Sequence, residues 1–155
     1  MINLTGEPGV GKHVTALAAI KYCCERNFLR DGAYQVVVET SHNCDGFLNN
    51  LFQTMRLNIY HIEDLIECIK NLHLVLLISM AADIIKNDRT NFEKMLSHLL
   101  ENTNYLKIIV IIDYGLKNIS LRSDKYVTSI HIEPLNNYYA AKLLKQYDRK
   151  NEIFR

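Results

Sequence analysis

Several features are scarce or missing in this sequence, and each absence closes off a class of function. Only four of the 155 residues are cysteine (Cys23, Cys24, Cys44 and Cys68), and none forms a C-x-x-C pair. The spacing offers no thiolate zinc site or disulfide framework, so the cysteines are expected as small core residues in a reducing compartment. The six histidines, His13, His42, His61, His73, His98 and His131, never pair with each other or with a cysteine at metal-ligand spacing. No G-x-S-x-G nucleophile elbow is present. Neither charge sign dominates: 18 basic and 17 acidic residues leave a net +1. That gives no field for nucleic acid or an acidic membrane surface. The longest apolar runs, Leu74 to Ile78 among them, are strand-sized, well short of the roughly 18 residues of a membrane span. Glu7, Pro8 and Lys12 interrupt the first apolar stretch, which argues against a secretion signal. No internal repeat, low-complexity tract or Pro/Gly/Ser linker divides the chain. The expectation is a cytoplasmic protein with one domain over residues 1–155.

What is present is a core and a rhythm. Apolar residues make up 48% of the chain, enough for a domain of this size to bury roughly two-thirds of its unfolded surface. Ile2 to Thr5 reads as a short strand. Lys12 to Arg26 reads as a helix with Val14, Leu17, Ala18 and Cys24 available for its buried face. Asp31-Gly32 marks a turn, and Tyr34 to Thr40 is strand-like. Phe47, Leu48, Leu51, Phe52 and Met55 repeat at helical spacing, and a second helix runs from about Ile62 to Asn71. Leu72 to Ile78 and Leu106 to Ile112 are almost wholly apolar, as strands covered on both faces are. Between them Asn91 to Glu101 is helical. Tyr126 to Ile132 is a last strand and Asn137 to Tyr147 a last helix. The order β-α-β-α-α-β-α-β-β-α predicts an α/β fold of three layers, a largely parallel sheet flanked by helices.

The strongest local signal is Gly6-Glu7-Pro8-Gly9-Val10-Gly11-Lys12, which fits G-x-x-x-x-G-K between a strand and an amphipathic helix. Glycines let successive backbone N–H groups turn inward into one concave nest. The helix opening at Gly11 adds unpaired N–H groups and its positive dipole end. Lys12 is placed to reach the β- and γ-phosphates of a nucleotide. The motif departs from its usual form at one position: the next residue is normally Ser or Thr, whose hydroxyl binds Mg²⁺, and here it is His13. Imidazole is a poor ligand for that hard cation. Thr15 lies around the helix and is a poor substitute.

Lys107 to Asp113 is an apolar strand ending in a carboxylate. Asp113 is therefore a candidate Mg²⁺ ligand at the carboxyl end of a strand, where ligands of open α/β sheets collect. Equally, it is a turn aspartate before Tyr114-Gly115. Tyr138 and Tyr139 lie in the last helix and suit packing better than base stacking. Lys142, Lys145, Arg149 and Lys150 read as the solvated face of that helix.

The chain resembles the NB-ARC and related STAND-type ATPase domains over most of its length. The residues that carry the resemblance are Ile2 to Lys12, Phe28 to Tyr34 with Val36 to Val38, Leu76 to Ile85, Leu106 to Ile112, and Ile132 to Leu135 followed by Tyr139 to Leu144. The resemblance implies a P-loop NTPase fold, with ADP or ATP bound by Gly6, Glu7, Pro8, Gly9, Val10, Gly11, Lys12 and His13. It also shows losses. The Walker B aspartate position falls on Ser79, whose neutral hydroxyl cannot offset a cation's charge. Asp83, four residues on, is a weaker metal candidate, better suited to flanking a helix. The sensor arginine falls near Ile112 or Asp113. Adenine-contacting, helical and winged-helix regions of the family have no counterpart, which implies a piece of a longer protein.

Three functions compete. The first is a nucleotide-binding switch module with weak or absent hydrolysis and doubtful Mg²⁺. The second is a Mg²⁺-dependent P-loop ATPase or small phosphotransferase using Asp113. The third is an interaction scaffold that no longer binds nucleotide.

Overall fold

Five short strands pair into one sheet in the computed structural model, which describes residues 1–38, 43–112, 115–121 and 127–151. They are β1 (Ile2–Thr5), β2 (Gly32–Val37), β3 (Leu74–Ser79), β4 (Lys107–Ile111) and β5 (Thr128–His131). The order across the sheet is β2-β3-β4-β1-β5, and every pairing is parallel. Among the described residues the helices are α1 (Lys12–Glu25), α2 (Cys44–Thr54), α3 (Ile62–Ile69), α4 (Ala82–Asn87), α5 (Arg89–Glu101) and α6 (Asn137–Asn151). The expected three-layer α/β architecture is therefore observed. The short α4 goes beyond the expected order; it follows β3 at once and leaves no room for a periodic pattern. The predicted strand ending at Thr40 runs into residues 39–42, which lie outside the described residues, as does the start of the last strand at Tyr126.

The uninterrupted apolar character of β3 has a simple cause: all six of its residues are buried. Side chains alternate across a strand, so one set faces each way. Leu74, Leu76 and Ile78 join Val110 and Ile108 in the larger core, covered by α2, α3, α4 and α5. There Phe47 of α2 meets Phe92 of α5 edge-on, with ring centroids 5.3 Å apart. Val75 and Leu77 face the other way, into a smaller cluster with Leu4, Ile111, Ala16 and Ile20. Among the described residues only α1 supplies helical residues to that cluster. Each fully buried aliphatic side chain contributes about 1.5–3 kcal/mol, so most of the burial energy lies on the α2–α5 side.

One sequence expectation fails on α1. The face proposed for burial, Val14, Leu17, Ala18 and Cys24, is exposed, and Val14 is 70% accessible. The buried residues are Lys12, Ala16 and Ile20. An alanine-rich helix carries two apolar stripes, and periodicity does not choose between them. Lys12 chooses: its side chain turns back into the preceding loop, which fixes the rotation of the helix. Residues four and eight positions on then share its face.

Two further corrections concern packing. Cys24 and Cys68 are exposed and Cys23 and Cys44 half-buried, so none is a core residue. Tyr138 and Tyr139 pack edge-on against each other, at 5.2 Å, and both are exposed. Lys142 and Lys145 are solvated as expected, while the Arg149 and Lys150 side chains lie outside the description. Among the described residues no helix is long and apolar enough to cross a membrane.

Candidate phosphate-binding site

The loop between β1 and α1 is shaped by two close approaches. At its start, Gly6 has φ 147° and a Cβ there would lie 2.6 Å from the Ile132 carbonyl oxygen and 3.0 Å from Val10 Cγ2. The chain leaving β5 crowds this point because the Ile132 N–H donates to the Thr5 carbonyl at 2.8 Å. At the loop's far end Gly11 caps α1 with φ 93°, a left-handed conformation that costs other residues roughly 1–2 kcal/mol. A Cβ on Gly9 or Gly11 would meet nothing within 4 Å. The space beside the helix tip is open.

Lys12 closes the arrangement. Its Nζ donates to the Gly6 carbonyl at 2.8 Å and to the Glu7 carbonyl at 3.0 Å. The Val10 N–H also reaches the Glu7 carbonyl, at 3.5 Å. The lysine is 9% exposed, so its charge is largely removed from water and compensated by two carbonyl dipoles. Each such charge-assisted bond contributes about 1.5–3 kcal/mol. Glu7, Pro8 and Gly9 form the exposed outer curve, with Val10, Gly11 and His13 half-buried.

The electrostatics favour an anion. No side chain caps α1, and its first turn holds no acidic residue. The first N–H groups of a helix lack partners within it and carry about half a positive charge between them. Lys12 adds a full charge beside them. His13, the second helical residue, presents an imidazole at the same end.

Other predicted site residues lie at other points. Ser79 ends β3 beside Val37 of β2 in register. Alternation puts it on the α1 face, with Val75 and Leu77. It is 4% exposed, and its Oγ has no hydrogen-bond partner. Asp83 lies half-buried in the first turn of α4, the helix-flanking place expected of it. Asp113 lies outside the described residues. Among the described residues no group of three or more His, Cys, Asp or Glu could hold a metal ion.

Sequence reasoning missed the residues that brace this end of the sheet. The Thr5 hydroxyl contacts His131 Nδ1 at 3.2 Å and donates to the Ile130 carbonyl at 3.3 Å. The buried Asn3 side chain donates to the Ile119 carbonyl at 2.8 Å, tying the β4–β5 connection to β1. Arg89 donates to the carbonyls of Lys117 and Asn118, while Glu93 accepts from the Ser120 N–H at 3.0 Å and pairs with Arg89 at 2.9 Å. Each contact spans between 27 and 126 residues of sequence, apart from the Arg89–Glu93 pair. No local pattern announces them.

Comparison with solved structures matches the fold over nearly the whole chain. The fold is that of a P-loop NTPase. A structure of Drosophila ORC bound to DNA matches 96% of this chain with a TM-score of 0.72 and 18% identity. The crystal structure of Cdc6p from Pyrobaculum aerophilum matches the same share at 0.69 and 15%. The Aeropyrum pernix ORC2 protein, in ADPNP-ADP complexes, matches at 0.69 and 10%. Identities this low establish shared architecture alone. The chain spans 41–45% of the length of these three proteins. No family model matches it, and no curated protein does.

Proposed function

We propose that residues 1–155 form the nucleotide-binding core of a regulatory P-loop module, related to NB-ARC and STAND-type domains. It binds ADP or ATP on Gly6 to His13 and hydrolyses slowly or not at all. The observation that carries this reading is the Lys12 ammonium, buried against its own loop beside an uncapped helix end, with Gly9 and Gly11 unobstructed. That arrangement is a preformed anion site: the donors are oriented before any ligand arrives, so little reorganisation opposes binding. The ADPNP-ADP complexes named for one structural neighbour support an adenine nucleotide as the ligand.

A module of this kind acts by population shift. The nucleotide stabilises one arrangement of neighbouring segments over another by the difference in its affinity for the two. Its partners are then proteins or further segments rather than nucleic acid. One neighbour's structure is of a DNA-bound complex, but the net +1 of this chain supplies no phosphate-tracking charge. We place its action in the cytoplasm.

Thermal shift tests the reading. ADP or ATP at millimolar concentration raises the melting temperature of the wild-type chain, and Lys12→Ala abolishes the rise. A wild-type protein indifferent to both nucleotides, with and without Mg²⁺, is instead the interaction scaffold. Mg²⁺-dependent phosphate release that disappears in Asp113→Ala identifies an ATPase.

A further inference from the structure

We infer that this loop takes the phosphates of a nucleoside diphosphate without a divalent cation. The inference rests on the reading of Gly6 to Lys12 as a phosphate site and goes beyond it. In P-loop NTPases the protein holds Mg²⁺ through the hydroxyl after the lysine and a carboxylate at the end of a neighbouring strand. The hydroxyl is absent here, and β3 ends in a serine rather than a carboxylate; Asp113, past the end of β4, lies outside the described residues. His13 follows the lysine, and an imidazole suits softer metals than one that demands octahedral oxygen ligands. Ser79 ends β3, buried, with an Oγ that nothing in the fold uses.

That orphaned hydroxyl is the deciding observation. A carboxylate there would bring a full negative charge to balance a cation; the serine brings none. Asp83 is no replacement, because it sits past Met80 and Ala81 in the first turn of α4 and is already engaged within the fold. Among the described residues the one carboxylate of the phosphate loop itself is Glu7, exposed on its outer curve.

The same residues suit a bare anion. Lys12 and the first amides of α1 are donors to phosphate oxygens, and no acidic side chain in the first turn opposes them. The third phosphate of a triphosphate is the group whose added charge a bridging Mg²⁺ neutralises. Without a protein-held cation, that charge counts against ATP, and ADP is the preferred ligand.

Calorimetric titration of the full chain with ADP and with ATP, each in excess MgCl₂ or excess EDTA, tests this. The expected ADP affinity changes by less than about threefold between the two buffers, and ATP binds at least about tenfold more weakly than ADP in EDTA. A gain of about tenfold or more for ADP on adding Mg²⁺ overturns the inference and leaves the phosphate site standing; its loss in Asp113→Asn then names the ligand. Absence of binding in every buffer overturns the site itself, and the inference with it. The double variant His13→Thr, Ser79→Asp, checked for a cooperative thermal transition in EDTA, is expected to acquire Mg²⁺-dependent ADP binding. A folded double variant that stays indifferent to Mg²⁺ overturns the assignment to these two positions.

Discussion

Gly6 and Ile132 stand in such close contact that the loop's first residue has no room for a side chain: a Cβ on Gly6 would sit 2.6 Å from the Ile132 carbonyl oxygen. The neighbour is backbone, held in place by the Ile132 N–H to Thr5 carbonyl bond, and it cannot swing aside as a flexible side chain does. Gly6→Ala is therefore expected to cost about 2–4 kcal/mol, combining overpacking with a strained φ. Gly9→Ala meets open space and pays only for its positive φ, about 1–2 kcal/mol. Urea denaturation of the two variants checks the contrast; equal losses would count against the crowding.

Lys12 has a second consequence, independent of any ligand. Its Nζ satisfies two carbonyls of a tightly turned loop. Lys12→Met keeps most of the aliphatic stem but removes both bonds, and nucleotide-free stability is expected to fall by at least about 1.5–3 kcal/mol, the contribution of one such bond. Chemical denaturation without nucleotide measures it. An unchanged midpoint means the ammonium is not held in solution as it is here.

Ser79→Ala is expected to move stability the other way. The wild-type hydroxyl is buried without a partner, and a buried unsatisfied group costs about 1–3 kcal/mol. Removing it should leave the protein as stable as wild type or more so, by up to about 1 kcal/mol. A clear loss of stability would show that the hydroxyl has found a partner.

The Arg89–Glu93 pair holds residues 117–120 from a distance in sequence. Glu93 accepts from both the N–H and the hydroxyl of Ser120. Glu93→Ala is expected to speed hydrogen exchange at the Ser120 amide and to cost about 1–2 kcal/mol, since the pair is partly solvated. Exchange at Ser120 unaltered from wild type refutes the tether.

Cys44 gives a pH prediction. Burial, reinforced by the charge and hydrogen bond of Asp88 and by Asp45, raises its thiol from an ordinary 9.0 to about 12. The folded state thus holds this proton more tightly than the unfolded chain. Its contribution to stability is complete below about pH 9 and is lost as pH rises from there towards 12. At pH 8 an alkylating reagent should label the exposed Cys24 and Cys68 before Cys44, and Asp88→Asn should speed labelling of Cys44. Mass spectrometry of the alkylated peptides reads the order.

The phosphate loop, the strand identities and the three-layer class were legible in the sequence because each is a local property. G-x-x-x-x-G-K depends on consecutive residues, and an unbroken apolar run such as Leu74 to Ile78 reports burial on both faces wherever the strand ends up. The choice of stripe on α1 was not legible. Val14 and Leu17 are as apolar as Ala16 and Ile20, and only the docking of Lys12 into its own loop sets the rotation. The unpartnered state of Ser79 Oγ and the crowding of Gly6 by Ile132 were beyond reach for a related reason. Both depend on strands that are distant in sequence and become neighbours only through parallel pairing, β2 against β3 and β1 against β5. The sequence by itself determined the glycine-rich loop that leads into α1 and the doubly covered strand β3. Tertiary structure alone decided which way they face and what surrounds them, because parallel strands separated by whole helices meet through packing rather than through any turn between them.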